Sequence, residues 1–264
     1  MGSDPAPTPP ARTHRHRPSP AGRPAVVLPN PPERPRVPTA VETASDYIRA
    51  LIFRGVLRGG DRIPIDQIAK TLGISRQPIR EALITMINDD LVVAEPKRGT
   101  FVATFGPEAI LEHFDLFGAL VSRSIARLVA TADDALIAQL RQMHAKVDAL
   151  AAAGDVARAN QAMLEFQRFV YHRAATPRLS MLVRSMQRFV PGEVYLDTVP
   201  TGLEISHRFR VTLLDAIERR DPEAGARAIT DQMASAGRRF CEELRSRGVF
   251  APSPAAPPAD SDDA

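Results

Sequence analysis

One cysteine, Cys241, stands in 264 residues. A lone thiol closes no internal disulfide, so the framework of a small secreted domain is excluded. No apolar run approaches the roughly 18 residues that a membrane-spanning helix needs. The first twenty residues, MGSDPAPTPPARTHRHRPSP, are proline and charge rather than the apolar core of a leader. A cytoplasmic location with no membrane partner is therefore expected. Net charge is scarce too. Thirty-four lysines and arginines face 31 acids, a balance of +3, so bulk charge does not announce a nucleic-acid partner. Also missing are a glycine-rich phosphate loop, a nucleophile elbow and a cluster of metal-ligating residues. The chain is not expected to be an enzyme, and neither a cofactor nor a metal is expected.

What is present divides by composition. Residues 1–38 hold twelve of the 24 prolines, with six arginines against two acids. Such a stretch cannot bury enough apolar surface to offset its ordering entropy, so a disordered Pro/Arg-rich extension is expected. It reads either as a basic arm along DNA phosphates or as a plain solvated extension. Residues 249–264 read as a second disordered tail, acidic at the tip.

Residues 39–104 are short and varied. Val41, Ala44, Tyr47, Ile48, Leu51 and Ile52 fall at helical spacing before Gly55. IDQIAKTLG is a brief helix stopped by Gly73. SRQPIREALITMINDD is a longer one, with Ser75 placed to cap it and Pro78 in its first turn. LVVAE, a PKRG turn and TFVATF follow as a β-hairpin. Residues 107–248 then turn helical throughout. Ile110, Leu111, Phe114, Phe117, Val121, Ile125 and Leu128 form one stripe. Further helices are expected from Asp134 to about Ala153, from Asp155 to Ala175 and over TPRLSMLVRSMQRFV. A loop from Pro191 to Gly202 and two final helices complete the block. The expected fold is mostly α, a winged helix-turn-helix of three helices and a hairpin followed by an all-α antiparallel bundle.

In a winged helix-turn-helix the third helix enters the major groove, its N-terminal residues on base edges. With Ile79, Ala82, Leu83 and Met86 facing inward, Arg76, Gln77 and Arg80 share the outer face. Arg76 and Arg80 are neighbours at four-residue spacing. Arginine binds guanine O6 and N7 bidentately, and glutamine pairs with adenine in the same manner. Lys97 and Arg98 sit at the hairpin tip with Gly99 permitting the tight turn, a wing able to reach a minor groove or backbone. Block 39–104 carries nine basic residues against eight acidic, so placement rather than amount of charge points to DNA. The alternative for Arg76 and Arg80 is a solvated surface pair.

The stretch from Tyr47 to Val102, above all LGISRQPIREAL and the GTFV wing, resembles the N-terminal domain of GntR-family bacterial transcription regulators. The helical remainder, most clearly LLDAIERRDPEAGARAI, is similar to the FadR-like branch with its FCD-type effector-binding and dimerising bundle. The likeness spans about residues 40–245. It implies a homodimer on an inverted repeat of double-stranded DNA, tuned by a small-molecule effector and usually acting as a repressor. By position it gives Arg76, Gln77 and Arg80 base contacts, Ser75 and Thr100 backbone contacts, and Gly99 the shaping of the wing. One departure stands out: Asp66 lies where many relatives carry a phosphate-contacting arginine, leaving part of that role to Lys70.

FCD bundles often hold a divalent metal through a carboxylate and three histidines. Alignment places Met163, Gln167, Arg210 and Gln232 at those positions, none of them a good ligand, so no metal is expected there. His113, His144, His172 and His207 lie elsewhere in the domain. The reading adopted is that Arg210 replaces the metal's charge and pairs with an acidic effector. Gln167 and Gln232 then supply hydrogen bonds, and Met163, Phe117 and Val121 an apolar wall. Its rival pairs Arg210 internally, for instance with Glu165 or Asp231, and leaves the cavity small or empty. An orphan dimer whose degenerate pocket senses nothing is the alternative function.

Overall fold

The computed structural model describes residues 38–250. The predicted extension and tail lie outside the described residues, save for Pro38, Val249 and Phe250. Helix α1 (Ala40–Phe53) opens on a capping box: the Thr39 hydroxyl accepts from the Glu42 amide, and the Glu42 carboxylate accepts from the Thr39 amide at 2.9 Å. Helix α2 (Ile65–Leu72) ends at Gly73, whose φ of +64° places it in the left-handed region that closes helices. Helix α3 (Arg76–Asn88) follows at once and buries Ile79, Ala82, Leu83 and Met86, the stripe read from the sequence. Ser75 stands at the cap position, but its hydroxyl makes no capping bond. The buried Arg49 of α1 pairs with Asp89 just beyond α3 and ties the two helices together.

Strands β1 (Val92–Glu95) and β2 (Gly99–Val102) pair antiparallel, with Val92 opposite Val102 and Glu95 opposite Gly99. An isolated bridge joins Arg62 to Phe101 on the other side of β2, and the Ile63 amide donates to the Thr100 carbonyl at 2.9 Å. The wing is thus anchored to the segment that leads into α2.

The bundle comprises α4 (Pro107–Thr131), α5 (Asp134–Ala152), α6 (Val156–Arg173), α7 (Pro177–Phe189), α8 (Gly192–Thr198), α9 (Gly202–Glu218) and α10 (Pro222–Ser246). Asp133, Asp155, Thr176 and Asp221 cap α5, α6, α7 and α10 with side-chain oxygens. Helices α4 and α10 lie against each other closely enough that a Cβ on Gly225 would sit 2.7 Å from Val129, and one on Gly237 2.9 Å from Phe114. Helix α8 corrects the expected loop between Pro191 and Gly202. Seven residues between a proline and a glycine give no periodicity to read. Burial of Val194, Leu196 and Thr198 holds the turn instead.

The two blocks share a core. Phe53 of α1 packs against Phe240 at a centroid distance of 5.3 Å, Phe189 at 6.2 Å and Phe105 at 6.4 Å. Arg54 pairs with Asp197 of α8 at 2.7 Å. Val249 is buried and Phe250 packs edge-on to Phe105 at 6.1 Å. The packed chain therefore runs two residues past the expected boundary at 248.

Candidate nucleic-acid interface and ligand cavity

The start of α3, the start of α2 and the wing enclose an open groove. Arg76, Arg80, Gly99 and Thr100 line it, with Asp66 and Arg62. Ser75 and Gln77 stand exposed on the adjoining first turn of α3, and Lys97 and Arg98 at the hairpin tip. The tip is shaped by two left-handed residues, Lys97 at φ +65° and Gly99 at φ +119°. A Cβ on Gly99 would also approach the Arg62 guanidinium to 3.0 Å, so glycine meets both a conformational and a steric demand. Arg62 has no helical or strand pattern around it, which is why the sequence did not single it out.

Acids hold several of these side chains. Arg76 Nε lies 2.7 Å from Asp66 Oδ1, with both side chains well over half exposed. Gln77 Nε2 donates to Glu81 Oε1 at 3.0 Å. Arg98 pairs with Glu95 and rests over the Phe101 ring, 5.5 Å from its centroid. Asp66, noted as a departure, therefore engages the first arginine of α3.

The bundle holds a partly open cavity of about 230 Å³. Helix α4 supplies His113, Phe114 and Phe117. Helix α6 supplies Met163, Leu164, Gln167, Arg168 and Tyr171, while Tyr195 comes from α8, Ile205 from α9 and Gln232 and Met233 from α10. Of the residues expected in a pocket, Phe117, Met163, Gln167 and Gln232 line it. Val121 does not; it is wholly buried elsewhere in the core. Arg210 does not line it either.

Arg210 is engaged on the α5 side of α9. Its side chain is 2% exposed, and it donates to Asp148 Oδ1 at 2.8 Å, Ser206 Oγ at 3.1 Å and His144 Nδ1 at 3.2 Å. This corrects the reading of Arg210 as an effector cation, since it stands outside the cavity, and agrees with the rival reading of an internal pair, with Asp148 as the partner in place of Glu165 or Asp231. Burial works to raise the Asp148 carboxyl, but hydrogen bonds from Arg210 and His207 outweigh it and hold the group below the usual range.

His144, Asp148 and His207 offer ligand atoms within 4.8 Å of one another, the spacing of a metal site. The hydrogen bonds argue against that use. His144 Nδ1 accepts from Arg210, so its neutral ring carries the proton on Nε2, 3.3 Å from Asp148 Oδ2. A metal at Nε2 would have to displace that proton beside a guanidinium. The cluster closes as a polar network joining α5 to α9.

Two charged residues of the lining, Arg168 and Glu193, are exposed, and its less exposed polar groups are neutral. Burial lowers the His113 pKa to about 4 and pushes the Tyr171 and Tyr195 phenols above their ordinary range. Tyr171 Oη, Tyr195 Oη and Gln232 Oε1 are buried without a hydrogen-bond partner. His113, Tyr171 and Tyr195 were not expected here, because no spacing rule brings α4, α6 and α8 to one point.

Aromatic rings connect this cavity to the winged helix-turn-helix block. His113 lies 4.6 Å from Phe189, which packs on Phe53 of α1. Phe114 and Tyr195 both contact Phe240, which packs on Phe53 in turn.

No helix among the described residues is long and apolar enough to cross a membrane. Comparison with known proteins matches residues 40–102 to the gntR family of bacterial regulatory proteins and residues 103–235 to the FCD domain. An uncharacterised HTH-type transcriptional regulator of Mycobacterium tuberculosis is 32% identical over 212 residues, covering 80% of this chain and 85% of that protein. The regulator McbR of Escherichia coli is 24% identical over 182 residues, 68% of this chain and 82% of McbR. The McbR structure superposes with a TM-score of 0.54 over 75% of this chain and 95% of that one, at 21% identity. A winged helix-turn-helix packed on an FCD bundle, matched along both segments, makes the chain a DNA-binding transcriptional regulator of the GntR family.

Proposed function

We propose that the protein is a homodimeric repressor that binds an inverted repeat through residues 39–104, with residues 107–248 serving dimerisation and effector binding. The observation that carries the DNA reading is the groove that gathers Arg76, Arg80, Thr100 and the glycine-shaped wing on one face. Arg76, Gln77 and Arg80 read base edges, while Ser75, Thr100, Lys97, Arg98 and the added Arg62 hold phosphates. Gly99 lets the wing approach the backbone. The Ser75 hydroxyl, unused as a cap, is free for that role.

A small effector occupies the cavity among Phe117, Met163, Gln167 and Gln232. Its wall touches Phe189 and Phe240, and both pack on Phe53 at the base of the DNA-binding domain. A ligand that favours one packing of these rings shifts the two recognition helices of a dimer relative to each other. Half-sites lie about one helical turn apart, so a small reorientation breaks register. The orphaned polar atoms of residues that line the cavity favour sensing over the alternative of an orphan dimer with no ligand.

Selection of bound duplexes from a random library tests the DNA reading. Enrichment of an inverted repeat, lost with Arg76→Ala, is expected. Binding without sequence enrichment, fading uniformly with salt, would leave only a basic surface.

A further inference from the structure

We infer that the bundle cavity takes a neutral, ring-containing molecule bearing a hydrogen-bond donor and an acceptor, such as a primary carboxamide on an aromatic ring, and not a carboxylic acid. The inference rests on the reading of the cavity as the effector site and narrows its ligand class.

Charge comes first. Among the described residues that line the cavity, the cation is Arg168 and the anion is Glu193, and both are exposed. The cation expected inside, Arg210, is held by Asp148 elsewhere. His113 is neutral at physiological pH, with its pKa lowered to about 4 by burial. A carboxylate brought inside would lose its hydration and meet no interior positive charge, and an ammonium no negative one.

Polarity comes second. Tyr171 is 1% exposed and Gln232 6%, and both carry an oxygen with no partner. A buried orphan of this kind is costly, and a ligand that satisfies it regains that cost. Gln232 Oε1 asks for a donor. The Tyr171 and Tyr195 hydroxyls offer donors to a ligand carbonyl.

Shape comes third. The walls are rings: Phe117 and Tyr171 meet edge-on at 5.7 Å, and Phe114 and Tyr195 lie 6.0 Å apart. Such surfaces stack and edge-pack with a planar guest. The 230 Å³ exceeds the roughly 150 Å³ of a cavity known to hold benzene, leaving room for one ring and a polar substituent.

The test uses near-isosteric pairs at pH 7.5: benzamide and benzoate, nicotinamide and nicotinate, indole-3-acetamide and indole-3-acetate. Melting temperature and calorimetric titration of the full chain are the readouts. At least one amide is expected to stabilise the protein saturably, with its carboxylate partner about 100-fold weaker. Gln232→Leu is expected to weaken that amide about tenfold. Tyr171→Phe should leave the unliganded protein no less stable, because the hydroxyl removed has no partner there. A carboxylate that binds as tightly as its amide overturns the neutral class while leaving the cavity a ligand site. Stabilisation by none of the amides overturns the class as well. The sensing reading is judged apart, by whether any compound of a broad metabolite panel changes operator affinity.

Discussion

The groove on α3 and the cavity in the bundle both gather polar side chains, but they manage those side chains in opposite ways. In the groove the candidate contacts are charged, solvated and held by acids: Arg76 by Asp66, Arg98 by Glu95. Exposed ion pairs of this kind are worth little, about 0–1 kcal/mol, and are readily exchanged for phosphate or base. In the cavity wall Tyr171, Tyr195 and Gln232 each carry a neutral, buried oxygen without a partner. There each missing hydrogen bond costs about 1–3 kcal/mol. A surface can therefore be tuned by competition between charges, whereas a cavity is tuned by which neutral groups are left without partners.

The sharpest way to break the comparison is to remove both arginines of the groove. Two bidentate base contacts at about 1–3 kcal/mol each imply a loss of roughly 30-fold to 10⁴-fold in affinity for the selected operator. Gel-shift titration of Arg76→Ala/Arg80→Ala measures it. Melting temperature should hardly move, since both side chains are exposed. A double variant that retains operator affinity would place sequence reading elsewhere.

The same contrast explains what the sequence disclosed. The groove lies along one helix and one hairpin, so local spacing reveals it: i and i+4 for Arg76 and Arg80, a glycine for the wing. Only Arg62, placed by an isolated bridge to β2, escapes a local rule. The cavity is assembled from helices up to about 120 positions apart in the chain, from His113 to Met233. Alignment by resemblance found Met163, Gln167 and Gln232. It could not reveal that Arg210 engages α5, because Asp148 is 62 residues away in sequence. Helix α8 was missed for the related reason that a short helix is held by tertiary burial rather than by periodicity.

Acid sharpens the cavity side. His113 has its ordinary value of 6.5 when unfolded and about 4 when folded. Between those values the unfolded chain binds the extra proton, so stability is complete above about pH 6.5 and declines toward pH 4. This group alone accounts for about 3 kcal/mol across the window, from 1.36 kcal/mol for each pH unit of displacement. Burial lowers His144 and His172 as well, with the same sign. Denaturant melts at several pH values are expected to show the slope, and His113→Phe to reduce it. An unchanged slope in the variant would mean that His113 is hydrated. Asp148→Ala comes next in size. It removes the anion beside a buried Arg210, at an expected cost of about 2 kcal/mol read from the urea midpoint. Asp148→Asn, which keeps one acceptor, should cost less.

The smallest effect tests whether the groove's acids are competitors. Asp66 lies 2.7 Å from the Arg76 guanidinium, at a place where the family resemblance suggested a cation. Binding a base or phosphate requires Arg76 to give up that carboxylate, and the carboxylate itself would face the DNA. Asp66→Asn keeps the size and an acceptor but removes the charge. Operator affinity is expected to rise about threefold, within the 0–1 kcal/mol of an exposed pair. Affinity for unrelated duplex should rise at least as much, because repulsion by Asp66 acts on any phosphate backbone. Specificity, the ratio of the two, would then fall or hold while affinity climbs. Gel shifts at two salt concentrations separate the outcomes, since screening shrinks a purely electrostatic gain. If Asp66→Asn instead weakens operator binding and leaves non-specific binding alone, the carboxylate orients Arg76 for its base, and the acids of this surface serve to position the arginines rather than to compete for them.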